Sequence, residues 1–393
     1  MSNNSIKHSK AADRLNALDR HLSDHLITFA WDEWAQMGLL ATPHRRSPWA
    51  QDPEALIVFT LEVARADARL FDELMDWLLV NESLLSVRRL RAMCIDETDR
   101  ALVGAALGWL ARRRPRARLS GPDRDKRGDR GNQGDRSGRQ NRGPASAATT
   151  LQPLFRSGGP VREPDGDFAA AGWARPPLIP SRKSSPPDPM TPINLAFRLR
   201  QILGVGVRSE AVRVLLTTDA PWVNAQTLAR STGYAKRNVH EALAGLGKAG
   251  VVSAFSVNGE QRYTPARPAW AALLGCSPDE LPAGCDWPQL LGALRRVLRW
   301  STQPELATMS DYLLASSARD LIEAIRPDLA FAGIPVDLSP SPENTLGELE
   351  VVIESVLMTM NADPQAAPLG RLDSAELDDT CVAPSHGQPT GLK

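Results

Sequence analysis

The sequence predicts a mainly α-helical protein, with a basic central module of helices and one β-hairpin set between two helical regions. Three observations predict this class. Apolar residues recur at helical spacing through most of residues 11–113 and again beyond residue 269. Between residues 208 and 265 the helical period gives way once to short strand-like runs around an Asn-Gly pair. Finally, the 46 basic and 46 acidic side chains cancel only in total. Residues 191–267 carry ten basic against four acidic side chains, and residues 268–393 seven against eighteen. A cationic block beside an acidic one suits a polyanion-binding module joined to parts that do not bind polyanions.

In chain order, residues 1–113 are expected to form a helical amino-terminal domain. Leu15, Leu18, Leu22, Leu26 and Phe29 define one helical face, which Trp31, Trp34 and Met37 extend. Asp52-Pro53 is a helix start, with Asp52 as N-cap and Pro53 in the first helical position. It leads into ALIVFTLEVAR, apolar enough to be largely buried. Leu70, Phe71, Leu74, Trp77 and Leu78 make a further face, followed by SVRRLRAM, whose arginines are expected to point into water. Asp32-Glu33 reads as an ordinary surface pair. Residues 114–190 are rich in Arg, Asp, Gly, Pro and Ser and poor in apolar side chains, so a disordered linker is expected. A helix from Thr191-Pro192 with Ile193, Phe197 and Ile202 inward opens the module at 191–268. Residues 269–361 read as a helical carboxy-terminal domain and 362–393 as a disordered tail. In that domain Tyr312, Leu314, Leu321 and Ile325 are expected inward on one helix, and Leu349, Val352, Ile353, Val356 and Met360 form a stripe on the last.

The central module is the most informative stretch. Ala211, Val212, Leu215 and Leu216 lie on one helical face. Asn224 stands as an N-cap before AQTLA, and Gly233 marks a tight turn. Ala235 to Ala249 then places Val239, Ala242, Leu243 and Leu246 inward and Lys236, Arg237, Asn238 and His240 outward. Gly245 and Gly247 weaken this helix by roughly 1 kcal/mol each relative to Ala. After Gly250, Val251–Phe255 and Gln261–Thr264 flank Asn258-Gly259, a pair suited to a type I′ hairpin. This order, and the run LARSTGYAKRNVHEALAGLGKAGVV, resembles the winged helix-turn-helix of bacterial transcription regulators of the MarR, ArsR and GntR kind.

The resemblance covers about a fifth of the chain and implies a dimeric regulator on double-stranded DNA, with paired half-sites. Lys236, Arg237, Asn238 and His240 would face bases or adjacent phosphates, and Arg230, Thr232 and Arg262 would contact the backbone. The last helix is expected to supply part of the dimer contact. The alternative is a protein-interaction adaptor, such as an antitoxin-like or defence-system partner, whose module binds protein, with the amino- or carboxy-terminal helices as further partner surfaces.

Other classes have less in their favour. Gly204-Val205-Gly206 lacks the third glycine of a dinucleotide loop and follows a helix rather than a strand. His21 and His25 are one helical turn apart, but no third metal ligand accompanies them. No nucleophile elbow, P-loop or kinase signature occurs, so neither enzyme activity nor a cofactor is expected. Four scattered cysteines and a polar MSNNSIKHSK start fit reduced thiols in a cytoplasm, and no apolar run reaches the roughly 20 residues that span a bilayer.

Overall fold

A computed structural model describes residues 2–113, 151–339 and 344–362. It is mainly helical, with short strands. The elements are α1 (Ser2–Gln36), β1 (Trp49–Ala50), α2 (Pro53–Val63), α3 (Ala68–Asn81), α4 (Val87–Ala92) and α5 (Glu97–Arg113). Then come β2 (Gln152–Pro153), α6 (Gly166–Ala170), β3 (Trp173–Ala174), α7 (Leu195–Leu203), α8 (Val207–Thr217) and β4 (Val223–Asn224). The order continues with α9 (Ala225–Thr232), α10 (Lys236–Lys248), β5 (Val252–Val257), β6 (Glu260–Pro265) and α11 (Arg267–Leu274). It closes with β7 (Ala283–Gly284), α12 (Trp287–Ser301), α13 (Asp311–Phe331) and α14 (Thr345–Asn361).

The axis of the body is α2. Asp52 caps it by accepting from the Ala55 N–H, Pro53 starts it, and all of its residues are buried. A helix buried on every side needs neighbours on every side, and the amino-terminal helices do not supply them all. The amphipathic α12 covers it, with Trp287, Leu290, Leu291, Leu294, Val297 and Leu298 buried. One apolar core therefore runs from Leu15 on α1 to Met360 on α14. The two helical regions expected as separate domains are one body, because each covers the other's apolar face. The α14 stripe expected at a dimer contact is buried inside this same chain. Tyr312, expected inward, is exposed at the start of α13.

The expected linker needs correction in its second half. Residues 114–150, like 363–393 of the expected tail, lie outside the described residues. Residues 151–190 are ordered against α3 and α5. Leu154, Phe168, Trp173 and Leu178 are buried, and β2 pairs with β3 in parallel. Arg175 lies 5.2–5.5 Å from the ring centroids of Phe71, Phe155 and Phe168 and reaches Asp72 at 2.8 Å. Asp76 accepts from the backbone N–H groups of Arg182, Lys183 and Ser184. Polar and Pro-rich composition hid a segment that needs only a few anchors because charged clips hold it between them.

Asp32 and Glu33 are also not surface residues; they are 2% and 0% exposed. Burial pushes the Glu33 carboxyl up to about 7, against Gln51 Nε2 donating at 2.8 Å and Arg45 still 3.9 Å away. Its folded pKa thus exceeds the unfolded 4.5, so folding takes up a proton between the two values. The contribution of Glu33 to stability is full below pH 4.5 and is lost as pH rises to about 7. Glu33→Gln should remove this slope. Denaturant titrations at pH 4.5 and pH 8 should show the variant gaining about 3 kcal/mol on the wild type between them.

Residues 195–274 build a second core around Val212, Leu216, Leu228, Val239, Leu243, Tyr263 and Trp270. The helix α7 and the turn before it join the two cores: Leu195 and Leu199 face the second, Ile193 in that turn and Phe197 the first, and Ile202 is exposed rather than inward. Trp270 and Leu274 place α11 in this second unit, beyond the expected boundary at 268. Its sheet has the order β4-β6-β5, all antiparallel, with Phe255 opposite Arg262 and Val223 opposite Tyr263. Asn258 and Gly259 turn the hairpin with φ of 51° and 81°, the left-handed pair that a two-residue turn of this twist requires. Gly233 caps α9 at φ 70° and lets the chain double back into α10.

Candidate nucleic-acid interface

A buried charge cluster fixes the second unit to the body. Asp52 caps α2 and Glu54 lies on it, Arg89 comes from α4, Arg200 from α7, and Glu210 and Arg213 from α8; all are at most 4% exposed. Arg200 bonds Glu54 at 2.6 Å and Glu210 at 2.7 Å, and Arg213 bonds Asp52 at 2.8 Å and Glu210 at 3.0 Å. Arg89 pairs with Asp52, Glu54 and Glu210. Three cations meet three anions, so the desolvated charges balance. Burial acts to raise the Glu210 pKa, but the guanidiniums of Arg200, Arg89 and Arg213 outweigh it and hold the carboxyl well below its usual range.

The body also grips the far end of α9. Ser231 Oγ donates to Asp286 at 2.6 Å, and Gln289 Nε2 donates to the Arg230 carbonyl at 3.0 Å. Arg89 Nε donates to the Thr232 carbonyl at 2.8 Å. Two residues expected at phosphates are taken up by these contacts. The Arg230 guanidinium reaches Asp328 at 3.1 Å and the Pro327 carbonyl, and lies 4.0 Å from the Phe331 ring centroid. Thr232 is fully buried, its hydroxyl donating to the Leu228 carbonyl. A side chain with no exposed surface meets no phosphate. Both engagements follow from the C-terminal end of α9 docking on α12 and α13, which residue identity does not reveal.

The outer face of α10 stays open. Lys236, Arg237 and His240 are exposed there and Asn238 is half-buried. Ala235 offers no side-chain cap, so the first N–H groups of α10 stay available beside Lys236. Arg237 bonds Glu241 one turn on at 3.0 Å. The His240 Nδ1 and the Tyr263 hydroxyl share a hydrogen bond of 3.0 Å, which ties α10 to β6. Arg262 stacks on Trp222, its guanidinium 3.5 Å from the ring centroid, with Glu260 3.8 Å away. Glu260 in turn accepts from Asn224 Nδ2 at 2.8 Å.

Between the start of α9, the start of α10 and the hairpin tip lies an open cleft of about 390 Å³. Lys236 and His240 line it with Gln226, Asn258, Glu260 and Gln261. Sequence reasoning did not select Gln226, Asn258 or Gln261. The Asn-Gly pair was legible only as a turn, and nothing local places its side chains opposite α10. Gly245 and Gly247 face ordinary space, 3.8 Å from Arg208 and 3.6 Å from the Val252 carbonyl at a hypothetical Cβ, so no tight packing demands them.

Metal-ligand groups of three or more are absent among the described residues; His21 instead bonds Glu354 at 2.7 Å. No helix among them is long and apolar enough to cross a membrane. No protein-family model matches the chain, and no curated protein or solved structure does either.

Proposed function

We propose that the chain is a sequence-specific DNA-binding regulator whose residues 207–265 act as a winged helix-turn-helix. The observation that carries this reading is the open first turn of α10, facing an amide-lined cleft closed on its other side by the hairpin tip. A duplex seated there meets α10 in its major groove and the hairpin at the adjoining backbone. Lys236 and Arg237 donate to guanine edges or phosphates, Asn238 to base edges, and His240 holds helix and hairpin in register through Tyr263. Arg262 serves as a backbone contact stiffened by Trp222. Arg230 and Thr232 have no part in it. The grip of the body on α9 presents α10 as a rigid element, so little ordering accompanies binding. Dimerisation on paired half-sites remains part of the proposal, through a surface other than the buried α14 stripe.

Titration of fluorescein-labelled duplexes, enriched by the protein from a random 30-base-pair pool, tests this by anisotropy at several salt concentrations. Affinity should fall with a log–log slope of roughly −0.9 per phosphate contacted. Replacing Lys236 and Arg237 together by alanine should flatten the sequence preference, costing about 1–3 kcal/mol per lost base contact. Duplex binding that is absent, or indifferent to salt, would remove the reading.

The adaptor reading draws on one observation: Glu241 accompanies Arg237 at 3.0 Å and Glu260 accompanies Arg262 at 3.8 Å, which offsets two of the cations. It predicts that the random-pool enrichment returns no preferred sequence.

A further inference from the structure

We propose that α4 is a second DNA-binding element, its Arg88 and Arg91 holding the phosphate backbone beside the segment that α10 reads; this rests on the regulator reading above. α4 belongs to the amino-terminal half of the chain, yet it is clamped along the turn that leads into α10. Arg89 Nε bonds the Thr232 carbonyl at 2.8 Å, and Met93 Cε lies 3.9 Å from where a Cβ on Gly233 would stand. Ser86 Oγ is 3.3 Å from the Tyr234 hydroxyl, and the Arg88 guanidinium lies 5.9 Å from the Tyr234 ring centroid. Tyr234 is two residues ahead of Lys236.

The three arginines of α4 divide by role. Arg89 is fully buried in the charge cluster, whereas Arg88 and Arg91 are exposed and, three positions apart, share a face. Neither makes an ion pair among the described residues. The carboxylates around α4 are engaged elsewhere: Glu54 with Arg89 and Arg200, Asp96 with Arg299, and Asp99 with Arg295 and Arg299. Two guanidiniums are thus held on a fixed backbone without an ion-pair partner among the described residues, Arg88 beside Tyr234 at the turn that leads to Lys236 and Arg237. A guanidinium in that position matches the geometry of a phosphate. Such contacts add affinity across all sequences and carry no base information.

The test uses the full chain and the enriched duplex. Replacing Arg88 and Arg91 together by alanine should make the salt slope shallower by roughly 1.8, one 0.9 increment per phosphate. The preference order among sequences should be unchanged, and the hydroxyl-radical footprint should shorten on one side. Lysine at both positions should restore most of the slope. Should the alanine pair melt early, glutamine at both removes the charge while keeping the stem. A slope and footprint equal to wild type would overturn the role of α4 while leaving the regulator reading in place. Wild-type protein that shows no salt-dependent duplex binding would overturn both.

Discussion

Glu210→Ala is expected to lower the unfolding free energy by about 3–5 kcal/mol, the cost of leaving buried guanidinium charge without its partner. Glu210 bonds Arg89, Arg200 and Arg213 at once, so its removal leaves three cations facing only Asp52 and Glu54. Guanidinium chloride titration followed by circular dichroism reads the loss as a lower midpoint, and Glu210→Gln, which keeps the shape, should lose nearly as much. The pH dependence has a definite sign. The folded pKa of Glu210 lies below its unfolded value of 4.5, so its contribution is present above pH 4.5 and is lost as pH falls. The variant should therefore show a weaker loss of stability on acidification than the wild type. A loss under about 1 kcal/mol would mean that the cluster is solvated.

Trp287→Ala is expected to cost about 3–5 kcal/mol and to weaken the whole body rather than its carboxy-terminal part. The indole is fully buried, donates to the Ala50 carbonyl at 2.9 Å, and lies 5.8 Å from the Phe29 ring and 6.3 Å from that of Trp49. It thus joins α12 to α1 and to the strand before α2. Hydrogen exchange provides the measurement: amides of α1 and α2 should lose protection together with those of α12. Protection lost from α12–α14 alone would mean two separately stable domains.

The opposite pH responses of Glu33 and Glu210 arise from their partners. Both carboxylates are buried, but Glu210 meets three guanidiniums at bonding distance, whereas Arg45 stays 3.9 Å from Glu33. Neither role was legible in sequence. Glu33 sits in an unremarkable Asp-Glu pair, and the partners of Glu210 lie on α4 and α7 as well as on its own helix.

Local chemistry was readable where a residue's role depends on its near neighbours. Asp52-Pro53 starts α2, Asn224 caps α9 by accepting from Thr227, and Asn258-Gly259 turns the hairpin. Faces were readable where one period runs unbroken, as in α1, α8 and α10. The ordered part of 151–190 was not, because its anchors Phe168, Trp173 and Arg175 are too sparse to form a period.

The chain's own order of residues thus determined its helical class, several helix starts and turns, and the outward cations of α10, since propensity, capping and periodicity act within a few positions. Tertiary structure alone decided that the two ends share one core, that Arg230 pairs with Asp328 while Thr232 is buried, and that α4 lies against the turn before α10. Those outcomes depend on which apolar face and which charge finds its complement among residues far away in the chain, and no local pattern encodes that pairing.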